Sequence, residues 1–263
     1  MVISIIPIAQ AKVSVNDMEG YTEYIGELGG SGFVLVMPPE EDWNGMLVVF
    51  CHGFAPPVWS NNPKEAVMAL YYSGAVMYAS GGFAYAYSTY GDPGWCIQKG
   101  IIRTHQLTQW AVDRFEPTNV FLIGHSMGGQ IAQMLADKYP NTYSGVLDIA
   151  GVKDVASQYY YGDSLGRDMS YHIIEYGGTP EEKQKAYDKT SPLFNNDLQV
   201  PTITIYGDLD FVVEPGQHDI YEASLDAEAS ANYRLYMETG YNHNNIFAVH
   251  AIYFFELVFW ATT

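Results

Sequence analysis

The sequence predicts an α/β fold, a mostly parallel central sheet with helices on both faces. Three observations carry this. Short uncharged runs rich in β-branched and aromatic residues recur along the chain, and stretches with apolar residues at helical spacing separate them. Strand, helix, strand in regular succession implies parallel pairing through crossovers. The 263 residues, 48% of them apolar and 15% aromatic, suffice to bury a sizeable core.

Taken in order, the N-terminal "MVISIIPIAQAKV" (1–13) lacks a positively charged leader, and Pro7 interrupts its apolar part. It therefore reads as a first strand rather than the remnant of a secretion signal that Ala9-Gln10-Ala11 would suggest, which favours a cytoplasmic protein over a secreted one. "GELGGSGF" (26–33) superficially resembles a phosphate-binding glycine loop. It precedes a strand instead of joining strand to helix, so a hairpin turn is expected there. Strands are expected at 32–38, 46–52, 83–90, 119–124, 144–151, 200–207 and 233–239, with helical patterns near 63–80, 99–115, 127–139, 214–230 and 244–260. The interval 152–199 has no convincing strand, and a structureless loop of that length inside a compact domain is improbable. It is read as a partly helical lid inserted into a core made of 1–151 and 200–263, with Tyr159, Tyr160 and Tyr161 as bulky aromatics in an otherwise polar stretch. The final "IFAVHAIYFFELVFW" contains His250 and Glu256. It is expected to be a helix apolar nearly all round, buried in the core or in a homodimer interface, and too short and polar to span a bilayer.

Composition narrows the partners. Twelve Lys+Arg against 30 Asp+Glu leave a net charge of −18. No basic run exists to hold phosphates, so nucleic acid is excluded as a partner and neutral small molecules are favoured. Cys51 and Cys96 follow no metal spacing; Cys51, in an apolar run, reads as a buried thiol, with a Cys51–Cys96 bridge as the alternative. No histidine pair has convincing metal-ligand spacing, and neither a metal nor another cofactor is expected.

The stretch "NVFLIGHSMGGQIAQMLADKYP" (119–140) carries the chemistry. A buried-strand run ends at Ile123, a helical pattern starts at Gln130, and Gly124, Gly128 and Gly129 crowd the joint around Ser126. Glycine there is costly unless the chain turns sharply or is approached closely. G-x-S-x-G between a strand and a helix is a nucleophile elbow, which holds a serine clear of the sheet at a helix N-terminus. At these residues the chain resembles the α/β-hydrolase superfamily, and "GHSMGG" is similar to its carboxylesterase and monoacylglycerol-lipase-type branches. The resemblance covers essentially the whole chain and implies the α/β-hydrolase fold. By it, "CHGF" implies an oxyanion hole from the backbone N–H groups of Phe54 and Met127, with His52 buttressing the loop. "IYGDLDFVV" implies Asp210 as the acid by its Gly-x-x-Asp spacing, leaving Asp208 to shape the turn, and "METGYNHNN" implies His243 as the base. His105, His125, His172, His218 and His250 read as structural.

Ser126, His243 and Asp210 are the types the chemistry asks for. A serine hydroxyl needs a neutral imidazole to accept its proton as it attacks a carbonyl, and an acid to hold that imidazole in the right tautomer. The expected function is hydrolysis of a small-molecule carboxylic ester through an acyl-serine intermediate. Phe54, Trp59 and Tyr159–Tyr161 are the expected apolar or aromatic pocket. Thioester, lactone and amide hydrolysis, acyl transfer and a non-catalytic ligand receptor are the alternatives.

Overall fold

The computed structural model describes residues 11–54, 68–91 and 94–263. Within them, nine strands form one sheet in the order β1 (Lys12–Met18), β2 (Tyr21–Leu28), β3 (Ser31–Met37), β5 (Ala84–Ser88), β4 (Met46–Cys51), β6 (Asn119–His125), β7 (Gly145–Ile149), β8 (Thr202–Gly207) and β9 (Tyr233–Glu238). The pairings β1–β2, β2–β3 and β3–β5 are antiparallel; every pairing from β5 onward to β9 is parallel. This is the expected α/β-hydrolase architecture.

All seven expected strands are present, as β3 to β9. β1 and β2 are an addition. Their sequences show no buried run because β1 is largely exposed and β2 only half-buried. Residues 1–10 of the expected first strand lie outside the described residues. The glycine stretch at 26–33 is a hairpin turn, with Gly29 and Gly30 at φ +61° and +84° between paired Leu28 and Ser31. Two successive left-handed residues match the twist of the flanking strands.

The inner strands read as continuous apolar runs because both faces are covered. In β4, Leu47, Val49 and Cys51 join one core with α2 (Ile97–Phe115) and α3 (Met127–Lys138). Val48 and Phe50 join the opposite core with α1 (Met68–Ser80) and α9 (His250–Thr262). Cys51 and Cys96 are both buried free thiols, and burial pushes the Cys51 thiol up to about 12.

The interval 152–199 holds α4 (Val155–Ser164), α5 (Ser170–Tyr176) and α6 (Pro180–Asp188), inserted between β7 and β8. The pattern at 214–230 divides into α7 (Gly216–Ser224) and α8 (Ala227–Ala231), because Asp226 caps α8 by accepting from the Glu228 and Ala229 amides. The C-terminal block is a 3-10 turn, Asn245–Val249, followed by α9. Residues Asn245–Thr262 have the length and composition to cross a membrane, contrary to the sequence expectation of too short and too polar. They are no clear membrane span, since His250, Phe254 and Leu257 are buried against the sheet. Ile252, Phe255 and Phe259 remain exposed, so α9 is apolar all round but only one side is covered.

Candidate active site

Three glycines surround the elbow for three different steric reasons. β6 delivers Ser126 into φ 59°, ψ −125°, a conformation costly for a residue with a side chain and held by its surroundings. Ser126 N–H donates to the Ile149 carbonyl at 2.9 Å, fixing the turn to β7. A Cβ on Gly124 would collide with the Gly128 carbonyl, and one on Gly128 with the Cys51 carbonyl. A Cβ on Gly129 would strike the Asp148 carboxylate and stand 2.7 Å from the Gly151 Cα. Strand, helix and neighbouring strand thus meet at a distance only glycine permits.

The acid and base come from loops beyond the last two strands. Asp210 Oδ2 accepts from His243 Nδ1 at 2.7 Å, both groups being buried. Asp210 Oδ1 accepts from the Val212 and Val213 amides at 2.7 and 3.0 Å, so the carboxylate is held at both oxygens. With Nδ1 as the donor, Nε2 is left as the lone-pair nitrogen, the tautomer a general base needs. The second carboxylate of "GDLD" does something else: Asp208 is exposed and its Oδ1 accepts the Gly240 amide at 2.6 Å, tying the turn after β8 to the turn after β9. His125, the residue before Ser126, donates from Nε2 to the His243 carbonyl at 2.8 Å, and the two rings lie 4.9 Å apart. That bond fastens the histidine loop to the elbow. Burial draws His125 down to about 4, so it stays neutral beside His243. Among the described residues Ser126 Oγ has no hydrogen-bond partner; such contacts are often long without substrate and close when it binds.

The oxyanion-hole candidates flank Ser126. Met127 opens α3, so its N–H has no intrahelical acceptor. Phe54 follows Gly53, where a Cβ would lie 3.2 Å from Ser126 Cβ. His52 is buried, stacks on Tyr90 with ring centroids 3.9 Å apart and places Nδ1 2.7 Å from the Gly53 carbonyl. Desolvation takes its imidazole down to about 4. It has the geometry of a buttress for the Gly53–Phe54 turn.

A cavity of about 170 Å³ adjoins Ser126 and Phe54. Its far wall is the 152–199 segment, including Gln158 and Gly162 of α4, the charged Arg167 and Asp168, and Met169, Tyr171 and His172; Trp95 and Val213 are among the residues opposite. Of the expected pocket residues that are among the described ones, only Phe54 lines this cavity, meeting Tyr171 edge to face at 5.3 Å. Tyr159, Tyr160 and Tyr161 do not line it, which corrects the sequence expectation. Gln158 and Gly162, one helical turn apart, share the cavity face, and the tyrosines between them point elsewhere. Tyr160 is exposed, Tyr159 packs near Tyr187 and His172, and the Arg167 guanidinium lies over Tyr161. Trp59 lies outside the described residues.

Sequence reasoning missed Trp95, Tyr171 and His172. Trp95 and His172 stack at 4.1 Å, and burial lowers His172 to about 3. It also missed Lys153, fully buried at the start of the inserted segment and bonded to Asp148, to Gln133 at 2.7 Å and to Thr204 at 3.1 Å. A lysine in "AGVK" (150–153), right after a largely apolar strand, was the available signal. His105 stacks on Tyr139, His218 on Tyr206 and His250 on Phe247, all packing arrangements.

These features define an α/β-hydrolase of the serine-hydrolase class. The prolyl oligopeptidase family matches residues 105–259, more than half of the chain, and the chain belongs to that family. Among solved structures it is similar to acetyl xylan esterase 1 from Thermoanaerobacterium sp., at TM-score 0.65 and 14% identity, covering 95% of this chain and 89% of that one. It is similar also to Est1E from Butyrivibrio proteoclasticus, at TM-score 0.63 and 15% identity, covering 94% and 98%. A puromycin-hydrolyzing peptidase of Mycobacterium tuberculosis aligns at TM-score 0.68 and 18% identity over 97% of this chain, which spans 40% of that peptidase. At these identities the likeness is one of fold. No curated protein matches the sequence.

Proposed function

We propose that this serine hydrolase cleaves carboxylic esters of small apolar or aromatic acids through an acyl-serine intermediate, with Ser126 as nucleophile, His243 as base and Asp210 as the acid that orients it. The observation that carries the reading is the 2.7 Å bond from His243 Nδ1 to a carboxylate already fixed by two backbone amides, in the loop fastened to the elbow. Ser126 Oγ attacks the ester carbonyl while His243 Nε2 takes its proton. The negative charge moves to the carbonyl oxygen, where the Phe54 and Met127 N–H groups stabilise it, each such donor contributing roughly 3–4 kcal/mol in comparable enzymes. The alcohol leaves with the proton from Nε2. Water then attacks the acyl-serine by the same route, releasing the acid and restoring Ser126. A cavity of about 170 Å³ suits a small acyl group, and residues 152–199 act as its lid. Assay of the 263-residue chain with 4-nitrophenyl esters from acetate to octanoate tests the reading: turnover in the wild type, and none with Ser126→Ala, is expected.

A second reading, hydrolysis of an acyl amide or peptide bond, is favoured by the family match and uses the same groups. A 4-nitrophenyl ester and the 4-nitroanilide of the same acyl group separate the two. Cleavage of the anilide at a rate comparable with the ester would favour the second.

A further inference from the structure

The C-terminal end of α4 fixes a cation beside the loop that carries Asp210. Gly166 stands at φ +69°, its N–H donates to the Asp163 carbonyl at 2.9 Å, and the Arg167 N–H donates to the Gly162 carbonyl at 3.1 Å. This pair of bonds back across the last turn is a Schellman cap, which a left-handed glycine closes without strain. The backbone of Arg167 is therefore set by the helix before it. Its guanidinium lies over the Tyr161 ring and leaves the inserted segment for the loop after β8. There Nη2 donates to the Phe211 carbonyl, and Nη1 donates to the Val212 carbonyl at 3.0 Å. Gln158 Nε2 of α4 donates to the same Val212 carbonyl at 2.9 Å.

The other ends of those two peptide units hold the carboxylate. The Phe211 C=O and the Val212 N–H belong to one planar unit, and the Val212 C=O and the Val213 N–H to the next. Both N–H groups donate to Asp210 Oδ1, at 2.7 and 3.0 Å. In a trans unit C=O and N–H point in opposite directions. Each unit thus has a guanidinium N–H at one end and the carboxylate at the other. Both peptide dipoles are aligned between cation and anion, and hydrogen bonds in such a chain polarise one another. The free oxygen of the carboxylate, Oδ2, accepts from His243 Nδ1.

We propose that Arg167 is a positioning residue for Asp210 and acts on it through the 211–212 and 212–213 peptide units. The inserted segment then orients the acid as well as walling the cavity. This inference rests on the proposed triad of Ser126, His243 and Asp210. Arginine suits the task because its planar fork spans two successive carbonyls, whereas a lysine ammonium is a single point charge. Arg167 also borders the Ser126 cavity, so a direct grip on substrate is the competing role. The two roles part in kinetics: a positioning residue lowers kcat, and a uniform substrate contact raises KM.

The test is a double-mutant cycle on kcat for 4-nitrophenyl acetate, made of the wild type, Arg167→Met, Asp210→Asn and the double variant. Ser126→Ala is assayed beside them as the check on the triad. Arg167→Met should lower kcat by roughly 10–100-fold with little change in KM, the scale of a small misplacement of a catalytic group. In the Asp210→Asn background the same substitution should cost less than about threefold, because the group it positions is already disabled. Arg167→Lys should fall between Arg167→Met and the wild type. It carries the same cycle if Arg167→Met loses the circular dichroism of the wild type. Equal losses in the two backgrounds, or a raised KM with kcat unchanged, would overturn the proposal. An inactive Ser126→Ala beside a fully active Arg167→Met would overturn it and leave the triad standing. Turnover retained in Ser126→Ala would remove the triad, and the proposal with it.

Discussion

The cavity beside Ser126 has two walls made in different ways. One is the set of loops at the C-terminal ends of β4, β6 and β8, from which Phe54, Ser126, Val212 and Val213 line the cavity; the loops after β8 and β9 also carry Asp210 and His243. The other is the helical segment 152–199, which contributes Gln158, Gly162, Met169, Tyr171 and His172. In the first, backbone geometry fixes each group: glycines that tolerate no Cβ, a serine at φ 59°, a carboxylate on two amides. In the second, the direction of each side chain depends on helical register. Under the proposed function, chemistry belongs to the strand ends and selectivity to the inserted helices.

Breaking the first wall should have the largest effect. Ser126→Ala should lower ester kcat by roughly 10⁴–10⁶-fold, with the far-ultraviolet circular dichroism of the wild type retained. Residual turnover above that range would move the nucleophile elsewhere.

The two carboxylates of "GDLD" sharpen the comparison within one loop. Asp210→Asn keeps the acceptor for Val212 and Val213 but turns an amide N–H toward His243 Nδ1, forcing the proton onto Nε2. A kcat loss of roughly 10³–10⁴-fold with little change in KM is expected. Asp208→Ala should leave kcat near wild type and cost about 1 kcal/mol of stability, the size of one hydrogen bond to the Gly240 amide. Steady-state kinetics of both variants at one pH check this, and a larger kcat loss at 208 would reverse the roles.

The second wall should respond in preference rather than rate. Tyr171→Ala should change relative kcat/KM across a series of ester chain lengths by about tenfold, the usual scale for reshaping an apolar pocket. Tyr160→Ala, an exposed position, should leave the profile unchanged. If the reverse holds, the cavity is not where the acyl group binds.

Smaller in effect, and spread over the molecule, is sensitivity to acid. His52 and His125 have pKa values lowered to about 4, and His172 to about 3, each mainly by burial. Unfolded imidazoles take up protons near pH 6.5, so from there down to about pH 4 the unfolded state binds more protons. Stability should be constant from these groups above pH 6.5 and fall progressively as pH drops below it. Asp137 acts in the opposite sense with a single proton, being protonated in the fold up to about pH 8. Thermal melts from pH 7.5 to 4.5 should show a falling Tm, with a shallower fall for His172→Gln. A Tm that is flat over that range would contradict the buried, neutral state of these imidazoles.

How much of this was legible in the sequence follows the same division. β3 to β8 and the elbow could be read because buried strands are largely apolar runs and because steric collisions at Gly124, Gly128 and Gly129 leave glycine as the only choice. β1 and β2 carry no such run, since β1 is largely exposed and β2 half-buried, and they escaped. The helical character of 152–199 was legible from its length without strands, but not which of its aromatics face the cavity. Three consecutive tyrosines span most of a helical turn, so composition alone could not say that Gln158 and Gly162 would face inward. Trp95 and His172 are 77 residues apart in sequence and come together only by folding.

The most direct measurement is site mapping of a fluorophosphonate probe on the wild type and on His243→Ala, by intact mass and peptide sequencing. Stoichiometric labelling at Ser126 in the wild type, lost or slowed by orders of magnitude in His243→Ala, is what the strand-end constellation predicts. Labelling at another serine, or at Ser126 with equal speed in both proteins, would contradict it.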